Sequence, residues 1–379
     1  MNWIKNIFKP KTIAFPKNTS WMLNDDLSVN VKNIKHCKIF QDLKNTKQSK
    51  LYHEEGNVLN HTLLVSKKMH SIITNQLSYL SDRDKKILMI AALCHDLGKG
   101  TTTYFDKEDN DWHCKNHGAA GEQITRNLLF DEPDFWMREE ICWLVKKHMI
   151  FHFITKKDEN QQITMIQSLS MGYSTIQKLL IVNIADLLGS KPCNNDIVDE
   201  RIETIKRIAE TSQCYTKPFK TIKAKSNYNM YVLIGIPGSG KNTYVDRFLK
   251  GIYSISRDDI REEMVDGKIE GRKLVFDKIK EGIVSDIVKQ RIKKCCEESK
   301  SFIINQTNMK KKYRDQLKET AFKYGKPNVI YIYIEPPTIE ECKRRRGYGK
   351  WNSIIDRMWG EFEFPDKNEC DELIFYKQK

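Results

Sequence analysis

The sequence predicts two domains, an all-α domain followed by an α/β domain built on a parallel sheet. The chain has 379 residues, about two and a half times a common domain length of ~150 residues. All nine histidines lie in the first 152 residues, and the hydrophobic periodicity changes from helical to strand-like near residue 230. Hydrophobic residues at 40% and charged residues at 30% suit folded cores and exclude a disordered or collagen-like chain.

Apolar residues at spacings of three and four predict helices through the first half. These helices cover Val58–Met69, Arg83–Leu97, Gly118–Leu129, Glu139–His148 and Ile176–Leu188. Further on, short β-branched and aromatic runs separated by helical stretches predict parallel strands. The strands cover 230–236, 253–256, 302–305 and 328–335. A lysine-rich stretch without apolar period separates the two patterns, so we expect a first domain over 1–212, a linker over 213–229 and a second domain over 230–379.

The chain has a surplus of positive charge, with 64 Lys and Arg against 50 Asp and Glu and a net charge of +14. This favours a polyanionic partner such as nucleic acid, although proteins also carry such a surplus for solubility alone. The ten cysteines form no CxxC pair, which favours a reduced compartment without a cysteine zinc site. No apolar run has the length of a membrane span or signal peptide. We therefore expect a cytoplasmic protein without a membrane partner.

Histidine and aspartate residues recur in the first half at the ends of apolar helices. His95 and Asp96 are adjacent at the end of one such helix, where a lone histidine would more often be a core residue. The other candidates are His61, His117, His148 and Asp186. A buried carboxylate is unfavourable unless it is paired or metal-bound. Imidazoles with carboxylates suit divalent transition metals such as Mn²⁺, Ni²⁺, Co²⁺ or Zn²⁺, and ligand type does not choose among them.

A glycine-rich loop lies between a predicted strand and a predicted helix of the second half. Residues 235–243 read GIPGSGKNT, nearly the GxxxxGK[ST] pattern whose backbone amides and lysine bind nucleotide phosphates. The candidates for nucleotide binding are Gly235, Pro237, Gly238, Ser239, Gly240, Lys241, Asn242 and Thr243. Asn242 stands where the pattern has a hydroxyl for Mg²⁺, and an amide oxygen can also ligate this ion. ATP and Mg²⁺ are therefore the expected cofactors.

A pair of charged residues follows the second predicted strand of this half. Asp258 comes after the carboxyl end of that strand, which faces the nucleotide crevice in parallel α/β sheets. It can accept the proton of an attacking hydroxyl, as kinases require. Arg261, three residues later, can hold a neighbouring phosphate. Without the phosphate loop upstream, a surface ion-pair cluster would explain both residues equally well.

The first half resembles the HD phosphohydrolase superfamily. His61, His95 with Asp96, and Asp186 match its H…HD…D signature. The segments HEEG at 53–56, ALCHDLGKGTT at 92–102 and NHG at 116–118 resemble the HD domain of bacterial tRNA CCA-adding enzymes. By this resemblance His117 and His148 supply a second metal position, and Lys99 faces the phosphate.

The second half resembles the phage polynucleotide 5′-kinase family. The resemblance rests on GIPGSGKNT, on SRDDIR at 256–261, on the third strand FIINQTN and on KRRRG at 343–347. It implies that Arg346 or a neighbour is the lid arginine that closes on the nucleotide phosphates. It also implies that Gln306 replaces an acidic residue, so two groups near the metal, Asn242 and Gln306, are neutral amides.

The order of the two halves resembles bacterial and phage end-healing fusions that repair broken RNA. By this resemblance the first domain removes a 2′,3′-cyclic phosphate or 3′-phosphate, and the second phosphorylates 5′-OH ends with ATP. The partners it implies are RNA ends, tRNA among them, and a separate RNA ligase in a bacterial or phage-infected cell. Two alternatives stay open: a hydrolase of small nucleotides, and an RNA-end sensor whose P-loop binds but scarcely transfers phosphate. A preference for DNA is open as well.

Overall fold

The structure, a computed structural model, describes residues 14–49, 53–170, 172–190, 195–211, 226–264, 278–366 and 369–377. The chain divides into two compact units, Met1–Lys220 and Thr221–Lys379. Most of the predicted linker, 213–225, lies outside the described residues. The predicted domain bounds stay a prediction.

The first unit is helical except for one hairpin. Its helices are α1 Val31–His36, α2 Lys38–Asn45, α3 Val58–Asn75, α4 Asp82–Cys94, α5 Lys99–Thr102, α6 His117–Leu128, α7 Phe135–Lys147, α8 Ile150–Ile154, α9 Glu159–Ser170, α10 Ile176–Gly189 and α11 Asn195–Thr211. Strands β1 Thr103–Asp106 and β2 Asp111–Cys114 pair antiparallel. The predicted domain was all-α, and this small hairpin is the part of it that was not predicted. Its strands, TYFD and DWHC, have four residues each and no alternation of polar and apolar residues long enough to indicate a strand.

Helix α4 is the centre of the first unit. Its residues Ile87–Cys94 are all buried, because a helix that is apolar on every side must be surrounded by others. Helices α3, α7 and α10 pack against it. Side chains of Asn57, Ser81, Asp134 and Thr175 cap α3, α4, α7 and α10, each accepting a hydrogen bond from the backbone N–H three residues later. These caps fix where the helices that carry the site residues begin.

The second unit is built on a five-stranded parallel sheet. Its strands are β3 Asn229–Ile234, β4 Tyr253–Ile255, β5 Phe302–Ile304, β6 Asn328–Glu335 and β7 Glu372–Lys377, in the order β4-β5-β3-β6-β7. Its helices are α12 Lys241–Phe248, α13 Arg257–Glu263, α14 Lys278–Glu297, α15 Lys311–Tyr324, α16 Ile339–Arg345 and α17 Lys350–Gly360. The predicted fold class, a helical domain followed by a parallel α/β domain, is confirmed. Strand β7, ELIFYK, was not predicted, although its β-rich composition could have indicated it.

Register places the glycine-rich loop at the middle of one sheet edge. The central strand β3 pairs with both β5 and β6, so that Tyr231 lies opposite Ile303 and Ile330. The carboxyl ends of β3, β4 and β5 therefore meet at the same edge, where ligands bind in open α/β sheets. In the described ranges, no helix combines the length and apolar character needed to cross a bilayer.

Candidate active sites

Six histidine and aspartate side chains converge in the first unit from the ends or faces of five helices, α3, α4, α6, α7 and α10. All six were predicted as metal ligands from the sequence. They form two groups of three, His61 with His95 and Asp186, and Asp96 with His117 and His148. Within each group the ligand atoms all lie within 4.8 Å of one another. Five of the six residues are buried, and the side chain of Asp186 is 15% exposed.

The imidazole rings are oriented with their Nε2 atoms towards one another. His95, His117 and His148 each donate Nδ1–H to the backbone carbonyl three residues earlier, at 2.8, 3.2 and 2.7 Å. Because Nδ1 carries the proton, Nε2 of the neutral ring carries a lone pair. His95 Nε2 lies 3.2 Å from His61 Nε2, and His117 Nε2 lies 3.2 Å from His148 Nε2. Two lone pairs repel unless a proton or a metal ion lies between them, so the donor set fits divalent metals.

Glu55 orients the imidazole of His61. Its Oε1 lies 2.8 Å from His61 Nδ1 and 2.8 Å from His53 Nδ1. Although burial opposes the effect, these two histidines lower the pKa of Glu55, which is therefore ionised. A carboxylate behind a metal-ligating imidazole fixes its tautomer and raises its basicity. In the sequence, Glu55 stands out only as part of the HEEG segment of the resemblance, and no role was predicted for it.

Asp96 borders both groups of ligands. Its Oδ2 lies 3.3 Å from His95 Nε2 and 3.5 Å from His61 Nε2, while its Oδ1 lies 3.5 Å from His117 Nε2. The buried Lys99 places Nζ 2.8 Å from the same Oδ2. A positive charge therefore lies directly beside the candidate metal ligands, where it could act on a phosphate.

The pKa values of His95 and His148 shift in opposite directions. Against the effect of burial, Asp96 and Asp186 raise the pKa of His95 to about 10. Burial, together with the charge of His95, lowers the pKa of His148 to about 3. Despite burial, the positive His95 holds the pKa of Asp96 well below its usual value. Without a metal the cluster therefore holds a proton on some rings, and divalent metal would displace it.

A further group of possible ligands lies on the hairpin. Asp106, Asp109 and His113 bring their ligand atoms within 4.8 Å of one another, but Asp109 is exposed. His113 Nε2 lies 3.0 Å from Asp109 Oδ2. Exposed acidic groups of this kind form ordinary surface ion pairs, and the sequence analysis gave His113 no metal role.

The loop after β3 has the backbone conformation of a phosphate-binding loop. Gly238 and Gly240 have φ angles of 84° and 99°, a region that favours glycine. A Cβ at Gly238 would lie 2.6 Å from the backbone oxygen of Cys342. Ser239 is fully buried within the loop. The sequence pattern and the backbone therefore agree on a loop whose N–H groups are available to phosphates.

Lys241 folds back over this loop. Its Nζ donates to the backbone oxygens of Gly235 and Ile236, at 2.9 and 3.0 Å. Burial lowers the pKa of Lys241 to about 8, and the positive Arg346 adds to this effect. The Lys241 ammonium is therefore held by carbonyl groups that a nucleotide phosphate would replace.

The amide side chain of Asn242 stands where the P-loop pattern has a hydroxyl, and a second amide, that of Asn305, lies beside it. Asn242 Oδ1 accepts a hydrogen bond from Asn305 Nδ2, at 3.0 Å. Asn305 follows β5 directly and precedes Gln306, the residue that replaces an acidic group in the resemblance. Asn242 and Thr243 are both exposed. The oxygen offered to Mg²⁺ by Asn242 is therefore already engaged with a neighbouring amide.

Asp258 lies at the exposed start of α13 and is paired with Arg261. Arg261 donates from Nη1 to Asp258 Oδ1 at 2.6 Å. It also donates to both carboxylate oxygens of Glu281, at 2.7 and 3.0 Å. Arg257 donates to Glu281 as well, at 2.8 Å. Glu281, which the sequence analysis missed, thus fixes Arg261 beside Asp258.

Three consecutive arginines, 344–346, stand at the end of α16, and the last two are candidates for contact with the nucleotide phosphates. Arg345 donates from Nη1 to the backbone oxygen of Gly238, at 3.2 Å. Arg346 lies over the ring of Trp351, with its guanidinium carbon 5.1 Å from the ring centre. The sequence analysis named Arg346 or a neighbour as the lid arginine, and in this structure Arg345 is the one in contact with the phosphate loop.

Comparison with known families agrees with the two domains. Residues 58–188 match the family model of the HD domain, and residues 230–350 match a family model described as an AAA domain. The chain joins an HD domain to a P-loop domain. Over 69 residues it is 45% identical to a protein of Autographa californica nuclear polyhedrosis virus, provisionally named a bifunctional polynucleotide kinase/RNA ligase. This match covers 17% of the chain and 10% of the viral protein, so the chain spans about a tenth of the length of this relative.

Among solved structures, the chain is similar to a gluconokinase from Sinorhizobium meliloti 1021. The two are 16% identical, and the alignment covers 40% of this chain and 83% of the gluconokinase. The TM-score of 0.27 is too low for an argument about the fold. The assignment of the P-loop domain therefore rests on its family match, its parallel sheet and its phosphate loop.

Proposed function

We propose that the chain is a two-centre enzyme that heals RNA ends. The HD domain removes a 2′,3′-cyclic phosphate or a 3′-phosphate, and the P-loop domain transfers the γ-phosphate of ATP to a 5′-OH. The observation that carries the proposal is the presence, in one chain, of a buried histidine–aspartate centre and a P-loop with a carboxylate after the next strand along the chain, β4. The first centre suits hydrolysis of a phosphate ester, and the second suits phosphorylation of a hydroxyl.

In the HD domain, His61, His95 and Asp186 would hold one divalent ion, and Asp96, His117 and His148 a second. When bound, such ions lower the pKa of water and neutralise charge on the phosphoryl oxygens. Glu55 orients His61, and the low pKa of His148 keeps its ring neutral and able to donate its lone pair. Lys99, beside Asp96, stabilises the negative charge of the phosphate.

In the P-loop domain, the backbone amides at 238–241 and the Lys241 ammonium would bind the ATP phosphates. Asp258 accepts the proton of the 5′-OH as that oxygen attacks the γ-phosphorus, and the bond from this phosphorus to the β–γ bridging oxygen breaks so that ADP leaves. Arg345 and Arg346 stabilise the charge that develops on the phosphoryl group. Asn242 and Gln306 would offer Mg²⁺ neutral amide oxygens in place of a hydroxyl and a carboxylate, so we expect weak binding of this ion and slow transfer.

Two further properties support nucleic acid as the substrate. The net charge of +14 suits a polyanion, and the viral relative carries a name that includes polynucleotide kinase. The 3′-OH and 5′-phosphate that the two reactions leave are the ends that an RNA ligase joins. We therefore propose that a separate ligase acts on the product.

The proposal is tested with an oligoribonucleotide that carries a 5′-OH and a 2′,3′-cyclic phosphate. The pure full-length protein receives it with ATP and a panel of Mg²⁺, Mn²⁺, Ni²⁺, Co²⁺ and Zn²⁺, and both ends are analysed. His95→Ala should abolish the reaction at the 3′ end and leave 5′ transfer. Asp258→Ala should reduce 5′ transfer by about 10²–10⁴-fold, the usual contribution of a general base, and leave the 3′ reaction. Asp259→Ala, at the adjacent exposed carboxylate, is the matched control.

Several outcomes would contradict parts of this proposal. Equal loss of both reactions in a folded His95→Ala protein would exclude two separate centres. Faster hydrolysis of mononucleotides than of oligonucleotide ends would favour a hydrolase of small nucleotides. The contact of Asn242 with Asn305 favours one second candidate, a P-loop domain that binds ATP or RNA ends without transfer. ATP binding without any 5′ product would identify that function.

A further inference from the structure

Buried arginines of this chain pair with carboxylates, with one exception. The described residues contain four buried arginines, Arg126, Arg138, Arg201 and Arg314. Three of them lie 2.8 Å from a glutamate oxygen. Across the described ranges, Arg201 forms no such ion pair. A buried guanidinium without a directly bonded anion is unfavourable, and the charges of Asp186 and Glu200 act on Arg201 without forming such a bond. Arg201 therefore has room to bind an anion directly.

Arg201 lies next to the HD centre. Its Nη1 donates to Asn183 Oδ1, at 3.2 Å. Asn183 Nδ2 in turn donates to the backbone oxygen of His148, at 3.2 Å. Asn183 precedes Asp186 by three residues on α10 and therefore lies on the same face of that helix. One side chain thus separates the Arg201 guanidinium from ligands of both metal positions.

Basic side chains lie near Arg201 beside the carboxylates of Asp186 and Glu200. His152 Nε2 lies 3.2 Å from Lys156 Nζ. Burial lowers the pKa of His152, and the charges of Lys156 and Arg201 add to this effect. Burial also lowers the pKa of Arg201, while the charges of Asp186 and Glu200 oppose the shift. Three basic side chains therefore lie near one another at the edge of the HD centre.

We propose that Arg201 binds a phosphate group of the polynucleotide 3′ end that enters the HD centre. Asn183 occupies one of the five guanidinium N–H donors, and the planar group suits two oxygens of one phosphate. The phosphate is either the reacting one or the phosphodiester that precedes it in the strand. The inference rests on the proposed function of the HD domain. No sequence motif includes Arg201, so its role could not be predicted from the sequence.

The test compares Arg201→Gln with wild type and with Arg207→Gln in the full-length, Mn²⁺-loaded protein. Arg207 lies on the same helix with its side chain 56% exposed, so it is the matched control. The substrates are a 2′,3′-cyclic mononucleotide and a dinucleotide that ends in a 2′,3′-cyclic phosphate. We expect Arg201→Gln to raise KM by about tenfold or more, as the loss of a charged hydrogen bond does, with kcat less affected. Arg201→Lys should restore part of the loss.

The two substrates distinguish the two phosphates. A higher KM for both indicates contact with the reacting phosphate, and a higher KM for the dinucleotide alone indicates contact with the preceding phosphodiester. A binding measurement accompanies the kinetics: inorganic phosphate and a dinucleotide with a 3′-OH are titrated calorimetrically into each Mn²⁺-loaded protein. At least one of the two should bind about tenfold more weakly to Arg201→Gln.

Two results would overturn the inference. One is unchanged KM values together with unchanged affinities for both titrants. The other is loss of bound Mn²⁺ from Arg201→Gln with kcat falling for both substrates, which would assign Arg201 a structural role through Asn183 and His148. If wild type hydrolyses neither substrate, the proposed function fails instead, and the two titrations still decide the role of Arg201.

Discussion

Divalent metal should stabilise the first unit of the chain and leave the second unchanged. All six side chains proposed to coordinate metal belong to Met1–Lys220. An ion that binds only the folded state raises the free energy of unfolding by about 2.7 kcal/mol when its concentration is a hundred times its Kd. A unit of 220 residues gains roughly 2–4 °C of Tm per kcal/mol. One ion should therefore raise the Tm of this unit by about 5–11 °C, and two ions by up to about twice that.

Differential scanning calorimetry of the full chain measures this shift. Two compact units predict two unfolding transitions, and addition of ATP identifies the one that belongs to the P-loop domain. Protein stripped with EDTA is compared with protein that has received Mn²⁺. Because Asp96 borders both groups of ligands, Asp96→Asn should lose most of the shift. For each variant, the Tm of the Mn²⁺-loaded protein is compared with the Tm of the same variant without metal, since the substitution also changes the stability of the metal-free protein.

The hairpin cluster supplies the control for this experiment. Asp109→Asn removes a carboxylate whose side chain is 63% exposed, and it should leave the shift intact. If Asp109→Asn abolished the shift while Asp96→Asn retained it, the ion would bind at the hairpin. A metal-induced shift confined to the transition that responds to ATP would likewise refute the assignment of the ligands to the HD domain.

Three further predictions concern charge and metal at other sites. The pKa of Lys241 is about 8, and bound phosphate favours the charged form of this side chain. ATP affinity should therefore fall above about pH 8, and binding above that pH should take up about one proton. Calorimetry in two buffers of different ionisation enthalpy measures this uptake, and its absence would contradict the prediction. Glu139→Gln removes the charge between two buried arginines at 2.8 Å and should lower the free energy of unfolding by about 3–5 kcal/mol, which urea titration measures. Asn242→Ser with Gln306→Asp should raise 5′ transfer severalfold at low Mg²⁺, and a wild type already fast at low Mg²⁺ would contradict this.

The sequence predicted the helices of the HD domain well, because their apolar residues recur at helical spacing and polar caps precede them. His95 and Asp96 were recognisable as ligands because charge ends an apolar helix there. Such signals are local. Glu55 is close in sequence to His53 and His61, but no helical spacing marks it as their partner. Arg201 carries no local signal, since it acts on Asn183, and through it on His148, and these residues come together only when the helices pack. The same holds for the hairpin at 103–114, whose strands are too short to show a period.

In the P-loop domain the sequence indicated the loop but not how its side chains are engaged. GIPGSGKNT predicted a phosphate site, and the backbone of Gly238 and Gly240 has the required conformation. The contact of Asn242 with Asn305 could not be predicted, because it depends on the neighbouring positions of β3 and β5 in the sheet. Glu281 lies twenty residues from Arg261, and only the packing of α14 on α13 brings them together.

The two centres differ in what a ligand must displace. In the HD domain, the His95 and His61 nitrogens face each other at 3.2 Å, so a metal ion replaces a proton or an unfavourable contact. In the P-loop domain, Lys241 already donates to two backbone carbonyls, Asn242 accepts from an amide and Arg261 binds Glu281. A nucleotide must break some of these contacts before it gains its own, and net affinity is the difference between the two. We therefore expect the HD domain to bind its metal tightly in isolation, and the P-loop domain to bind ATP weakly until an RNA 5′ end supplies further contacts.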